Sequence, residues 1–344
     1  MNNFIDDIFA VPQALRQAVA HFPVDTVKAI KKRIESGEYD RILISGMGAS
    51  MFVSISTLAH LNGLDLPVFT ENSGELCYQG KSQIGKNTLL WLNSQSGRSV
   101  EIIKLLDALK DQPPKTIVAT VNDADSPLAQ AADYPLVVHA GSESVVSVKT
   151  FCNMLAVNIM TALILKGADF EPLKQQALRV ADLQEEFLNQ WDQKKTDLDK
   201  LLADFKNLFI LGRGASFGTA KYGALVGKES IRTVYDSMHG ADFRHGPLEL
   251  VQADLSAVIL AGDKLTRKIN QTLAEDILKL GGNVVWVDGQ ADNTLPTLKI
   301  PYVEEWTIPL FEMLAMLLLA VVIADRKGYQ PGHFRHISKV TTKE

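Results

Sequence analysis

Short, nearly unbroken apolar runs recur along the chain and alternate with longer stretches whose apolar positions fall at helical spacing. In the first half the runs are RILISG (41–46), TLLWLNS (88–94), TIVATVN (116–122) and YPLVVHA (134–140). In the second half they are NLFILG (207–212), SAVILAG (256–262), NVVWVDG (283–289) and TLKIPYV (297–303). Continuous β-branched and aliphatic runs predict strands buried on both faces rather than half-exposed ones. Between them, VEIIKLLDALK (100–110) and KINQTLAEDILKL (268–280) have the period of amphipathic helices. Alternation of this kind predicts parallel sheets with helices on both faces.

The pattern is also duplicated. RILISGMGASMF (41–52) and NLFILGRGASFG (207–218) share an apolar run followed by G-x-G-A-S, with Gly48 and Gly214 166 residues apart. The expected fold is therefore α/β, with two tandem doubly wound parallel-sheet domains of flavodoxin-like type related by a pseudo-two-fold duplication. The expected divisions are an N-terminal helical segment (1–37, its helix over 12–36), a first domain (38–170), a helical connector (171–204), a second domain (205–325) and an irregular tail (326–344). The stretch IPLFEMLAMLLLAVVIA (308–324) reaches the lower length of a membrane span but contains Glu312 and begins beside a proline. It predicts a helix buried within the protein, so no membrane partner is expected.

Composition adds exclusions. A hydrophobic fraction of 46% with 22% charged residues is ordinary for a globular protein. The net charge of −5 and the lack of a basic run argue against a nucleic-acid partner. Cys77 and Cys152 form no CxxC pair, which disfavours a disulfide scaffold or a thiolate metal site. His333 and His336 form an H-x-x-H without an accompanying carboxylate, a weak metal signal. The opening MNNFIDDIF lacks a signal peptide's basic start, so a cytoplasmic location is expected.

The most informative string is N-S-Q-S-G-R-S (93–99), directly after a predicted strand and before a predicted helix. Such a turn offers unpaired N–H groups at the positive end of a helix dipole, and Ser94, Gln95, Ser96 and Ser99 surround it with further donors. A phosphate pocket is the expected use. A lone serine there would more simply cap the helix. The corresponding turn of the second half, A-G-D-K (261–264), has no hydroxyl, and Asp263 would repel phosphate. One phosphate site per chain is expected, and Ser216 of the second G-x-G-A-S should not serve it.

This string resembles the S-Q-S-G-[ED]-[TS] phosphosugar motif of the SIS (sugar isomerase) domain family. G-M-G-A-S resembles that family's first glycine turn, and E-S-V-V-S-V-K-T-F (143–151) resembles its V-A-S-T-K-x-F segment. In detail the chain resembles the two-SIS-domain isomerase module of glucosamine-6-phosphate synthases, through G-R-G…K-E…H-G-P-L-x-L and the tail K-G…K-V-T-x-E. The resemblance implies a sugar 6-phosphate substrate bound by Gly48, Ser50, Ser94, Gln95, Ser96, Ser99, Val145 and Ser147. It implies Glu229 as the base moving a proton between C1 and C2, and His245, contributed across a homodimer interface, as the ring-opening residue. It implies Lys339 as the lysine forming an imine with the keto sugar, with no cofactor and no metal. Pro331 and Gly332 offer the tail a place to turn back over the site, and Ile337 an apolar anchor.

The glutaminase part of such synthases has no counterpart here, so glutamine-dependent amide transfer is not expected. The expected function is a phosphosugar aldose–ketose isomerase or an isomerizing amino-sugar 6-phosphate deaminase. Alternatives are a deglycase of a glycated amine sugar 6-phosphate and a non-catalytic sugar-phosphate sensor. Ala49 replaces a threonine of that module, and Met47 and Val148 also depart from it, changes expected to bear on the sugar rather than on the phosphate pocket.

Overall fold

The computed structural model describes residues 3–144, 146–290 and 294–341. Three helices, α1 (Asn3–Phe9), α2 (Val11–Ala20) and α3 (Val24–Glu35), occupy the N-terminal stretch. The single helix expected over 12–36 is thus broken at residues 21–23. Pro23 disfavours helical backbone at Phe22 and itself stands as the N-cap of α3.

The first sheet comprises β1 (Arg41–Gly46), β2 (Val68–Asn72), β3 (Thr88–Asn93), β4 (Thr116–Val121) and β5 (Tyr134–Val137). Its helices are α4 (Ala49–Leu61), α5 (Ser73–Tyr78), α6 (Val100–Ala108), α7 (Pro127–Ala131) and α8 (Lys149–Leu165). Two further helices follow, α9 (Phe170–Asn189) and α10 (Trp191–Leu201). The second sheet comprises β6 (Asn207–Gly212), β7 (Asp236–His239), β8 (Leu255–Leu260), β9 (Asn283–Asp288) and β10 (Thr297–Lys299). It carries α11 (Ala215–Ile231), α12 (Gly240–Arg244), α13 (Arg267–Lys279) and α14 (Ile308–Lys327).

The strand orders are β2-β1-β3-β4-β5 and β7-β6-β8-β9-β10, with every pairing parallel. The two sheets repeat one topology, the 2-1-3-4-5 order whose switch point lies between the first and third strands. Neither β2 (VFTEN) nor β7 (DSMH) is legible as an apolar run. Both are edge strands with largely half-exposed residues, so nothing selects for the apolar continuity that marks the central strands.

Each glycine turn ends in the same backbone state. Gly48 (φ 51°, ψ −126°) and Gly214 (φ 53°, ψ −132°) are the N-caps of α4 and α11, a conformation that side chains with a Cβ resist.

The chain divides into two compact units. One contains Gln13–Glu143, Ser147–Leu178 and His336–Glu344, the other Met1–Pro12, Ser144–Val146 and Arg179–Arg335. In the first, Leu43, Leu90, Leu92, Ala119 and Val121 of the sheet pack with Ile102 and Leu105 of α6. In the second, Leu211, Ala257, Ile259 and Trp286 pack with Leu273 and Ile277 of α13. Among the described residues one helical segment, Glu305–Lys327, is long and apolar enough to cross a membrane, and 94% of its apolar window is buried inside the protein.

Candidate functional site

In the first unit the serine turn joins β3 to α6 at the carboxyl end of the sheet. Gly46 of β1 lies opposite Asn93 of β3, so the glycine turn bearing Gly48 and Ser50 stands next to the turn bearing Ser94, Gln95, Ser96 and Ser99. This is the switch-point crevice in which open α/β sheets bind ligands. Ser94 is buried and closes the turn on itself, its hydroxyl and its carbonyl both accepting the Gly97 N–H. The Ser96 hydroxyl accepts the Arg98 N–H at 3.2 Å. Ser99, the N-cap of α6, makes no capping hydrogen bond with its side chain. Capping alone therefore does not account for the serines.

Gly97 has φ 60°, and a Cβ there would lie 2.2 Å from the Ser126 hydroxyl, so the turn needs glycine. Arg98, at the acidic position of the resembled motif, points out of the turn. Its guanidinium donates to Asp123 at 2.8 and 3.2 Å and to the Asp125 carbonyl at 3.2 Å. That contact holds the Asp123 carboxyl below its ordinary range.

A buried polar chain supports the turn from below. Trp91 Nε1 donates to Thr120, the Thr120 hydroxyl to Asn158, the Asn158 amide to Asn93, and the Asn93 amide to Ser54, all at 2.7–2.9 Å. Each of these side chains is buried and hydrogen-bonded to the next, so the end of β3 is held in one position. The Gln95 carbonyl accepts the Asn122 N–H, and Asn122 in turn holds the loop after β5 through Ala140 and Gly141.

That loop carries Ser147, whose hydroxyl meets Thr150 at 2.9 Å. Val145, also expected at the site, lies outside the described residues. The last described part of the tail, residues 336–341, belongs to this same unit. Lys339 Nζ donates to the Glu143 carbonyl at 2.5 Å, and the Thr341 carbonyl accepts the N–H of Val100, the first residue of α6. The anchor is thus polar. Ile337, expected to serve as an apolar anchor, is 58% exposed, because the charged and backbone groups of its neighbours make the contacts.

Glu229 and His245 lie in the other unit. Glu229 is half-buried in the last turn of α11, and burial pushes its carboxyl up to about 7. Lys228 is exposed, as adjacent residues on a helix point in different directions, so a solvated pair is not what the structure shows. His245 follows α12 and is exposed, next to Gly246 at φ 140°.

The second copy of the anion turn in this unit is occupied by the protein's own acids. Asp263 accepts the N–H groups of Leu265 and Thr266 at 3.0 Å each and the Thr266 hydroxyl at 2.9 Å. Ser216, the counterpart of Ser50, donates to Glu312 at 2.8 Å. Glu312 is fully buried, and burial pushes its carboxyl up to about 8, with Asp263 and Asp288 adding in the same direction. A phosphate at this turn would meet filled donors and negative charge.

This asymmetry has a measurable consequence. Ser96→Ala should weaken phosphate binding about ten- to a hundredfold, the worth of a hydrogen bond to a charged group, roughly 1.5–3 kcal/mol. Ser216→Ala should leave that affinity unchanged but lower the melting temperature, since it strands a buried carboxyl. Equal affinity losses by calorimetry would contradict a single pocket.

Among the described residues no group of three or more His, Cys, Asp or Glu side chains could hold a metal ion. Two groups escaped the sequence reading. Glu143 stands shortly before α8, where a carboxylate suits a helix start, but the helix itself carries no start signal in the sequence. Glu312 stood out only as the single charge in an apolar stretch, with no local cue to its partner.

Comparison with known proteins bears on both units. The SIS domain model matches residues 38–164 and 201–324, well over half the chain. Glutamine–fructose-6-phosphate aminotransferase (isomerizing) of Pyrococcus horikoshii is 28% identical over 353 residues, covering 99% of this chain and 57% of that protein. Its namesake from Agrobacterium fabrum is 26% identical, covering 98% and 58%. The chain thus spans about half the length of the curated relatives it matches. Among solved structures, the C-terminal domain of glucosamine-fructose-6-phosphate aminotransferase from Francisella tularensis matches with a TM-score of 0.84 at 20% identity, covering 97% of this chain and 98% of that one. Glucosamine-6-phosphate deaminase from Thermotoga maritima matches with a TM-score of 0.79 at 19% identity, covering 98% and 99%. At such identities these structures establish the shared fold, and with two family segments falling on the two duplicated sheets the chain belongs to the SIS domain family.

Proposed function

We propose that the chain is a cytoplasmic, homodimeric enzyme acting on a sugar 6-phosphate, as an aldose–ketose isomerase or an isomerizing amino-sugar 6-phosphate deaminase. The observation that carries this reading is Glu229, a half-buried carboxyl pushed up to about 7 by burial. A base poised near neutrality can both take a proton from carbon and return it to the neighbouring carbon. The names of the relatives, an isomerizing aminotransferase and a glucosamine-6-phosphate deaminase, point to the same substrate class.

In this reading the serine turn binds the phosphate, with Gly48, Ser50, Val145 and Ser147 lining the sugar. Residues 326–344 close over it. The ring opens with help from His245, reaching in from the neighbouring subunit; its exposed position beside a glycine suits that task. Glu229 removes the proton from one of C1 and C2, giving an enediol or enolamine, and delivers it to the other. Lys339 condenses with a C2 ketone: its ammonium and the carbonyl become a protonated imine and one water. Where C2 carries nitrogen, isomerisation places an imine at C2, and its hydrolysis releases ammonia and the ketose phosphate.

A panel of hexose, hexosamine and glycated-amine 6-phosphates, followed for ketose and ammonia separately, tests the assignment. Ketose without ammonia identifies the isomerase and both together the deaminase. Release of free amine from the glycated compounds identifies the deglycase. Micromolar binding across the panel with no turnover would replace the enzyme by a sugar-phosphate sensor.

A further inference from the structure

The loop before α8 holds a carboxylate that the chemistry above does not use. The side chain of Glu143 is 0% exposed and reaches the start of α8. One oxygen accepts the N–H groups of Val148 and Thr150 at 3.1 Å each. The other accepts the Thr150 hydroxyl and, at 3.5 Å, that of Ser147. These donors fix the carboxylate in place, and its charge suits a helix N-terminus. They are all neutral, however, and a buried anion is costly without an opposite charge. A cation comes from the tail, where Lys339 Nζ lies 3.7 Å from Glu143 Oε1 while donating to the carbonyl of the same residue. Lys339 keeps 26% of its side chain exposed, so it is docked without being sealed in. Two residues on, the Thr341 carbonyl takes the first N–H of α6, the helix that follows the serine turn.

We propose that Glu143 is the positioning residue of the tail: its anchored carboxylate docks the Lys339 ammonium and so sets where this lysine stands beside Ser147 and the serine turn. A lysine near a chain end has several free rotamers and no intrinsic address. A carboxylate already ordered by four donors can select one of them without being ordered again. The docking rests on contacts alone; its catalytic consequence rests on the reading of Lys339 as the imine lysine.

Glu143→Gln keeps an oxygen for the α8 amides and a polar group for the two hydroxyls while removing the charge. Tryptic cleavage of the full chain after Arg335, followed by mass spectrometry, reads how firmly the tail is held. Glu143→Gln and Lys339→Met should each speed that cleavage about tenfold, and the double variant should be no faster than either single one. Glu143→Gln should also lower borohydride-trapped adduct at Lys339 with a ketose 6-phosphate about tenfold, with inorganic phosphate affinity within twofold of wild type. A glutamate serving only as a helix cap would move neither the coupled cleavage nor the adduct. Wild-type cleavage in Glu143→Gln, or a double variant cleaved at the product of the single accelerations, overturns the proposal. Should Glu143→Gln fold poorly, Lys339→Met probes the same contact without touching α8, and unchanged cleavage there also overturns it. An adduct missing even from the wild-type chain, with the coupled cleavage intact, would overturn the imine role and still support the docking.

Discussion

Glu229→Gln should bind sugar phosphate normally and lose turnover by roughly 10²- to 10⁴-fold, the usual contribution of a positioned base. The amide matches the carboxyl in shape, so the half-buried end of α11 is undisturbed, and only the proton-accepting function is lost. The pH profile makes the assignment specific. With the carboxyl pushed up to about 7 by burial, the base is protonated and idle at lower pH. Wild-type activity should therefore rise with an acidic limb centred near pH 7, and the residual activity of the variant should lack that limb. Deuterium from solvent should enter C1 or C2 in the wild type and not in Glu229→Gln; incorporation at the wild-type rate would remove Glu229 from the mechanism. If His245 works across a dimer, mixing Glu229→Gln chains with His245→Asn chains should recover part of the activity, because one of the hybrid sites has both residues. Proven heterodimers with no activity would count against a shared site.

Glu312→Gln should change the pH dependence of stability more than any surface substitution. In the folded chain burial keeps this carboxyl neutral up to about pH 8, whereas the unfolded chain ionises near 4.5. Between those values the unfolded state binds fewer protons, so wild-type stability should fall as pH rises through this window and level off above it. At about 1.4 kcal/mol per pH unit of separation the loss is on the order of several kcal/mol. Glutamine retains an acceptor for the Ser216 hydroxyl and cannot ionise. Urea denaturation at intervals from pH 5 to 8 should show a sloping wild type, a flatter variant, and a variant about 2–4 kcal/mol more stable at the upper end. Parallel curves would show that Glu312 is not the buried titrating group.

Much of this protein is written in local patterns. The central strands could be read because burial on both faces demands uninterrupted apolar residues. The duplication could be read because G-x-G-A-S recurs with the same backbone need, and Gly48 and Gly214 do adopt matching conformations. The serine turn was legible because a turn of this kind is built from consecutive residues. The roles proposed for Glu229, His245 and Lys339 come from the family resemblance; no spacing in the chain would have supplied them.

What the chain alone left open depends on contacts between residues far apart in sequence. The edge strands β2 and β7 owe their state to pairing with β1 and β6, and their own residues are too mixed to announce it. The tail is held by the Glu143 contact to Lys339 and by the Thr341 bond to Val100, across separations that no local pattern encodes. The same is true of Glu312, an isolated charge in an apolar helix until the fold brings it to Ser216 and closes the second copy of the turn. Local hydrophobic period and turn chemistry act over a few residues, so sequence determined the central elements and the serine turn. Burial and charge pairing depend on what surrounds a group in space, so only the tertiary structure decided which of the two duplicated turns stayed open, which carboxyls were pushed towards neutrality, and where the tail came to rest.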